Sequence, residues 1–301
     1  MTRGKRKKQR PRSSDKTSGL RQGKGGARRF RVLAVVGAVA VCGSLAALAA
    51  VLALNLGSGA PAVPKAAIVD QLSAREPNPS FVQSATATLE QAGYVVDYYP
   101  GDQVTVDFYR DLPTHGYKVV IVRGHSAVPR KDLALPADVP QAILQRVMDT
   151  VGDDALLFTS EPYSETAHLD EQKALRLFPV VYTGDQASDA YFAITAGFIT
   201  SSMKGKFDGT TVILMGCSSL SSDRTAAAFV GKGAKAVVGW SDMVSPSHTD
   251  ATTERLLEHL LTDKLDAQEA VSRTAAEVGP DPSYGSTLLV YPSPAAASAP
   301  Q

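Results

Sequence analysis

The residues of this sequence best suited to chemistry are a cysteine and a histidine that each follow a short apolar run. Residues 211–215 form one such run, which Gly216 ends and Cys217 follows. Residues 117–122 form the other, and His125 lies three positions beyond it. A thiol attacks as the thiolate, and an imidazole within hydrogen-bond reach can take its proton. The pattern predicts a Cys-His dyad with Cys217 as nucleophile and His125 as general base.

The elements that precede the two residues must place them. Apolar runs that alternate with helical patterns predict repeated βα units, which form parallel strands joined by right-handed crossovers. In such a sheet, ligands and chemistry are found at the carboxyl ends of the strands. The sequence thus predicts an α/β fold: a doubly wound, mostly parallel sheet with helices on both faces. The strand-like runs are 66–69, 94–99, 117–122, 211–215, 234–240 and 286–291, and the helical patterns are 79–92, 104–112, 223–230, 248–261 and 265–278.

The segment between the two candidate residues is less regular. Cys217 follows His125 by 217 − 125 = 92 positions. Within this segment residues 154–160 indicate a strand, and residues 165–177 indicate a helix. Residues 180–184 and 191–195 are consistent with strand or loop. An insertion at the carboxyl edge of a sheet is expected to shape a substrate cleft.

The order of these features resembles one peptidase family. A strand, a histidine loop, a later strand ending in Gly-Cys, a helix and then GAKAVVGW at residues 233–240 resemble the caspase-like cysteine peptidases, which include caspases, clostripain, gingipains and CHAT domains. The resemblance covers about residues 65–292 and implies a doubly wound sheet. It assigns His125 as general base and Cys217 as nucleophile of an endopeptidase that acts on proteins or peptides.

Further candidate residues surround the dyad. Backbone N–H groups at Ser126 and Gly216 are predicted to bind the oxyanion of an attacked carbonyl. In the caspase-like group, the segment after the next strand lines the pocket for the residue before the cut bond, which here implies Trp240, Ser241 and Asp242 as substrate-binding residues. The Asp242 carboxylate would pair with Arg or Lys, and the Trp240 indole would form an apolar or cation–π wall. The resemblance thus implies a preference for basic residues.

The amino-terminal part differs sharply in charge and hydropathy from the rest. Residues 1–31 contain thirteen Lys or Arg and one acid, and residues 32–54 contain no charge. A mostly apolar segment of 23 residues is long enough to cross a bilayer, and basic residues beside a span stay on the cytoplasmic side. We therefore expect a disordered cytoplasmic tail, a membrane span, a linker at 55–64, an extracytoplasmic domain at 65–292 and a loose tail at 293–301. A cleaved signal peptide is the competing interpretation, although its apolar region would be unusually long.

Several other kinds of site are not predicted. The second cysteine, Cys42, lies in the apolar segment, so Cys217 is expected to form no disulfide. No GxGxxG or GxxxxGK[ST] string occurs, and the basic tail has no nucleic-acid motif, so neither a nucleotide cofactor nor a nucleic-acid partner is expected. His115, His168 and His259 lack metal-ligand spacing, and each is predicted to lie at the surface.

Two alternatives remain open at this point. The first is a catalytically silent sensor or binding module on the same fold. The second is a cysteine hydrolase related to class I amidotransferases or DJ-1-like proteins, in which the partner histidine follows the cysteine. His248 would then take the part of His125, but MGCSSL lacks the second glycine of a G-x-C-x-G elbow.

Overall fold

A computed structural model describes residues 62–132, 141–181 and 190–293. The predicted basic tail, membrane span and most of the linker lie outside the described residues. Within the described ranges, no helix has the length and apolar character needed to cross a membrane. The described part from Val63 onward belongs to one compact unit.

The centre of this unit is a six-stranded sheet in the order β10-β9-β8-β3-β1-β2. Five strands pair in parallel, and β10 pairs antiparallel with β9 at one edge. The predicted α/β class with a mostly parallel sheet is therefore confirmed. The strands of this sheet are β1 (Lys65–Asp70), β2 (Val95–Pro100), β3 (Tyr117–Arg123), β8 (Thr211–Leu214), β9 (Ala236–Trp240) and β10 (Leu288–Tyr291).

Helices cover both faces of the sheet because alternate residues of its strands point to opposite sides. In β3, Val120 and Val122 belong to one apolar core, and Val119 and Ile121 belong to the other. The first core is closed by α2 (Val106–Asp111), α6 (Ala196–Ser201) and α7 (Arg224–Gly231). The second core is closed by α1 (Pro79–Gln91), α8 (Pro246–Leu257) and α9 (Ala267–Val278).

A second, antiparallel sheet is inserted between β3 and β8, in the order β4-β5-β7-β6. The predicted helix at 165–177 is wrong over most of its length. Only a short helix forms there, because His168 and Leu175 adopt left-handed backbone angles that stop it at both ends. The elements of this insertion are β4 (Ser126–Ala127), α3 (Pro129–Asp132), α4 (Gln141–Val151), β5 (Leu156–Pro162), α5 (Leu169–Lys173), β6 (Leu177–Val180) and β7 (Tyr191–Ile194).

Three short helical turns complete the described structure. Two are 3₁₀ turns, and one is a π turn that extends α8 and brings a buried histidine into the interface with α9. The turns are Gly101–Gln103, Leu112–His115 and Glu258–Thr262.

The strand order reverses at β1, which lies between β2 and β3. The chain leaves β1 on one side to form β2 and then returns to the other side of β1 to form β3. Open α/β sheets bind ligands at such a reversal of strand order. His125 follows β3 at this point, and the next residue begins β4, so the histidine loop joins the two sheets.

Candidate active site

The strands that precede the two candidate residues are direct neighbours. β3 and β8 pair in parallel with Val122 opposite Leu214, and the Met215 N–H donates to the Val122 carbonyl at 2.9 Å. The two chains therefore leave the same edge of the sheet side by side. This pairing places the His125 loop beside the Cys217 loop.

The two loops also touch. The Ser126 hydroxyl donates to the Cys217 carbonyl oxygen at 2.6 Å. A Cβ atom on Gly216 would overlap the Ser126 hydroxyl and the Gly124 carbonyl oxygen, so a side chain at this position would push the loops apart. The glycine before the cysteine is thus explained by close backbone approach, and it keeps the histidine loop pressed against the cysteine loop.

The Cys217 sulfur is partly buried and contacts the backbone of Val244. The Val244 N–H lies 3.5 Å from Sγ, and the thiol faces the Val244 carbonyl oxygen at 3.6 Å. The next residue, Ser218, has φ of +53° and donates its N–H to the Asp242 carbonyl at 2.9 Å. The loop after Cys217 is therefore anchored to the segment that follows β9.

A backbone hydrogen bond holds His125 in place, and its surroundings lower its pKa. Its N–H donates to Gln71 Oε1 at 3.1 Å, its ring packs against Phe158, and its side chain stays 33% exposed. Nε2 lies 3.9 Å from the Glu76 carboxylate, beyond direct hydrogen-bond distance. Burial lowers the pKa of His125, and the Glu76 charge opposes this shift only in part. The imidazole is therefore neutral at pH 7, as a general base requires.

A buried ion network lies directly before the histidine loop. The Arg123 guanidinium donates two hydrogen bonds to the Asp250 carboxylate, at 2.8 and 3.1 Å, and one to the Asp70 carboxylate, at 2.9 Å. It also donates to the Glu76 carbonyl at 2.9 Å. The network ties the carboxyl ends of β1 and β3 to α8 and fixes where His125 leaves the sheet.

The three residues predicted to bind substrate differ in how far they are exposed and in what they contact. Trp240 is 1% exposed and donates from Nε1 to Thr249, so its indole is a core anchor that offers no pocket wall. Ser241 accepts a hydrogen bond from the Thr287 N–H at 2.9 Å. The Asp242 side chain is 42% exposed, and its Oδ2 lies 2.8 Å from Lys131 Nζ. The Lys131 ammonium lowers the pKa of the Asp242 carboxyl below its usual value.

The two predicted oxyanion residues lie in the contact between the loops. Ser126 is buried and pairs with Leu157 as the first residue of β4, while Gly216 lies against the backbone of Gly124 and Ser126. The structure therefore brings Ser126, Gly216, His125 and Cys217 into one small region at the sheet edge.

The other histidines lie apart from this region or in the core. The predicted surface position of His259 is wrong, because its ring is 2% exposed and contacts Asp263 at 2.7 Å and Glu277 at 3.3 Å. His168 is largely buried, with Nε2 2.7 Å from Glu161. His248 packs on the Trp240 ring with centroids 5.4 Å apart. Within the described ranges, no group of His, Cys, Asp and Glu is arranged to hold a metal ion.

Several residues of the site could not be singled out from the sequence. Gln71 and Glu76 follow β1, which ends beside β3, and Val244 follows β9, which ends beside β8. Each therefore lies after a strand at the same sheet edge as Cys217 and His125. The sequence shows that these residues follow predicted strands. That pattern identifies the loops at the sheet edge, but it does not identify which residue faces the sulfur or the imidazole.

Comparison of the sequence with models of protein families gives no match, and comparison with curated proteins gives no significant match.

Proposed function

We propose that this protein is a membrane-anchored, extracytoplasmic cysteine endopeptidase of the caspase-like type, using a Cys217-His125 dyad. One observation carries the proposal: the loops that bear the thiol and the imidazole leave adjacent parallel strands and touch through Gly216 and Ser126. A neutral imidazole beside the loop of a partly buried thiol is the arrangement that cysteine acyl transfer needs. The orientation across the membrane follows from the charge step at residues 31–32.

The proposed reaction begins with transfer of the Cys217 proton to the His125 imidazole. The sulfur then attacks the carbonyl carbon of the peptide bond, and the N–H groups of Ser126 and Gly216 stabilise the oxyanion. Collapse of this intermediate breaks the C–N bond, and His125 returns the proton to the leaving amine. Water, deprotonated by His125, cleaves the thioester and releases the acid and the free thiol.

The reactivity of Cys217 tests the proposal against the silent-module alternative. We expect iodoacetamide to label Cys217 in the intact protein at least about tenfold faster than it labels glutathione at pH 7, because a neutral imidazole within reach can take the thiol proton as the sulfur attacks. Mass spectrometry of the Cys217 peptide separates this signal from Cys42. Labelling of Cys217 at the glutathione rate would contradict the endopeptidase and favour a binding module.

The ion pair between Asp242 and Lys131 supports the proposed preference for basic residues before the cut bond. Asp242 lies one residue before Met243 and two before Val244, whose backbone contacts the sulfur, and its carboxylate already holds the ammonium of Lys131. A substrate Arg or Lys would take the same place. Lys131 therefore competes with the substrate for Asp242.

Replacing Lys131 with Gln should raise the ratio of cleavage after Arg to cleavage after Gln by about two- to fivefold. The estimate is small because an exposed ion pair contributes about 0.2–1 kcal/mol. Asp242→Asn should abolish the preference. Both ratios are measured as kcat/KM on paired peptides that differ only at the residue before the cut.

The matched control is Arg130→Gln, which removes a neighbouring exposed cation that pairs with Asp153 instead. The control should leave the ratio unchanged. If Asp242→Asn keeps the wild-type ratio, Asp242 is not the determinant of specificity, and the nucleophile assignment is unaffected.

A further inference from the structure

We propose that Asp281 is a positioning residue for the nucleophile, holding the Val244 peptide against the Cys217 sulfur. This inference rests on the proposed function, because it assumes that Cys217 is the nucleophile. Asp281 lies 64 positions after Cys217 (281 − 217), in the loop between α9 and β10. It does not touch the sulfur itself and acts through the loop that does.

The carboxylate of Asp281 joins two loops. One oxygen accepts from the N–H groups of Ser283 and Tyr284 at 2.8 and 2.9 Å. The other accepts from the Ser245 N–H at 2.9 Å and from the Ser245 hydroxyl. The side chain is 1% exposed, so no water can replace these donors without opening the loop. Asp281 therefore fixes the backbone at Ser245.

The clamp at Ser245 reaches the sulfur through the neighbouring residue, whose carbonyl shares a peptide unit with the Ser245 N–H. Val244 immediately precedes Ser245, and its N–H and carbonyl both face Sγ, at 3.5 and 3.6 Å. The carbonyl accepts from the neutral thiol, and the N–H donates to the thiolate. The carbonyl oxygen repels a thiolate, so the position of Val244 against the sulfur sets the balance between thiol and thiolate.

Asp281 itself is suited to a fixed role. Burial alone would raise the pKa of Asp281, but the hydrogen bonds from Ser245, Tyr284 and Ser283 outweigh it and leave the pKa below its usual value. The group remains an ionised acceptor throughout the pH range in which a thiol titrates. Its own protonation therefore does not mimic or mask a change at the sulfur.

Asp281→Asn tests the proposal because it removes one acceptor oxygen and keeps the other. The remaining oxygen can serve the two N–H groups of Ser283 and Tyr284, while the amide NH₂ cannot accept from the Ser245 N–H. We expect the pH at half-maximal alkylation of Cys217 to shift by about one unit, which is about a tenfold change in rate below the midpoint. The readout is iodoacetamide alkylation of the full chain across pH 5–10, followed by mass spectrometry of the Cys217 peptide.

The matched control is Asp266→Asn. Asp266 also accepts two backbone N–H groups, those of Gln268 and Glu269, but it caps α9 and has no contact with the Ser245 loop in the described structure. The control should keep the wild-type midpoint. A wild-type midpoint in Asp281→Asn, with Trp240 fluorescence showing a folded domain, overturns the proposal.

A second variant covers the case in which Asp281→Asn does not fold. Ser245→Ala removes only the hydroxyl donor to Asp281 and should move the midpoint in the same direction by a smaller amount; an unchanged midpoint overturns the proposal. Failure of the proposed function gives a different result. Wild-type Cys217 would then react at the glutathione rate, while the difference between wild type and Asp281→Asn can still be measured.

Discussion

His125→Asn should lower kcat/KM for peptide hydrolysis by about 10²–10⁴-fold, the contribution typical of a general base. The asparagine preserves the approximate shape of the imidazole and keeps the backbone contact with Gln71, but it cannot take a proton from the thiol. Because burial lowers the pKa of His125, the wild-type rate should fall on the acid side with a midpoint below 6.5, the ordinary histidine value. This acid limb should disappear in the variant. The measurement is kcat/KM against pH on a peptide found by library profiling.

His248→Asn is the matched control, because His248 is the partner expected for an amidotransferase or DJ-1-like hydrolase. Its ring packs against Trp240, and its Nε2 is buried without a hydrogen-bond partner in the described part of the chain. We expect the control to retain the acid limb and most of the activity. Loss of activity in His248→Asn with full activity in His125→Asn would reverse the assignment of the base.

Arg123→Met should lower the free energy of unfolding by about 3–5 kcal/mol, because it leaves the carboxylates of Asp70 and Asp250 buried without their cation. Arg123 is 1% exposed, and both acids are nearly as buried. Urea unfolding can be followed by the fluorescence of Trp240, which is the only tryptophan of the chain and lies in this core. The signal reports on this domain even when the full chain is used.

The loss of stability in Arg123→Met should shrink as the pH falls from 7 toward 5. Burial already raises the pKa of Asp70 with the arginine present. A carboxyl with a raised folded-state pKa binds its proton more tightly in the folded protein, so lowering the pH stabilises the fold. Adding Asp250→Asn should restore part of the stability, because it removes one of the two buried negative charges.

The control for this prediction is Arg273→Met, which removes an ion pair with Glu269 whose side chains are 52% and 51% exposed. This substitution should lower the free energy of unfolding by less than about 0.5 kcal/mol. Equal losses in the two variants would mean that the buried network contributes nothing beyond an ordinary surface pair. The position of His125 would then need another explanation.

The sequence by itself determined the strands of the main sheet and the two residues at their ends. The runs at 117–122 and 211–215 are apolar because both faces of a central strand are covered, and that pattern is local. Gly216 before Cys217 also signalled a break in the strand. The α/β class could therefore be predicted from short stretches of chain, and the Cys217-His125 dyad stays a prediction.

The irregular insertion was harder to predict because its pattern is weak and its sheet depends on distant partners. Its four short strands pair antiparallel, and left-handed residues at His168 and Leu175 interrupt a stretch that has helical composition. The resemblance to caspase-like peptidases implies a pocket position for Trp240, whereas a large aromatic at a strand end also fits a core. Only the packing around it, with its indole N–H on Thr249, decided for the core.

The tertiary structure alone decided which polar groups serve the site. The Ser126 hydroxyl meets the Cys217 carbonyl across 91 positions, Arg123 meets Asp250 across 127, and Asp281 meets Ser245 across 36. The type of a buried polar residue does not show whether its hydrogen-bond partner is a sequence neighbour or lies across the fold. Such pairings are fixed by strand order and helix packing, which decide which buried polar groups come within hydrogen-bond distance of each other.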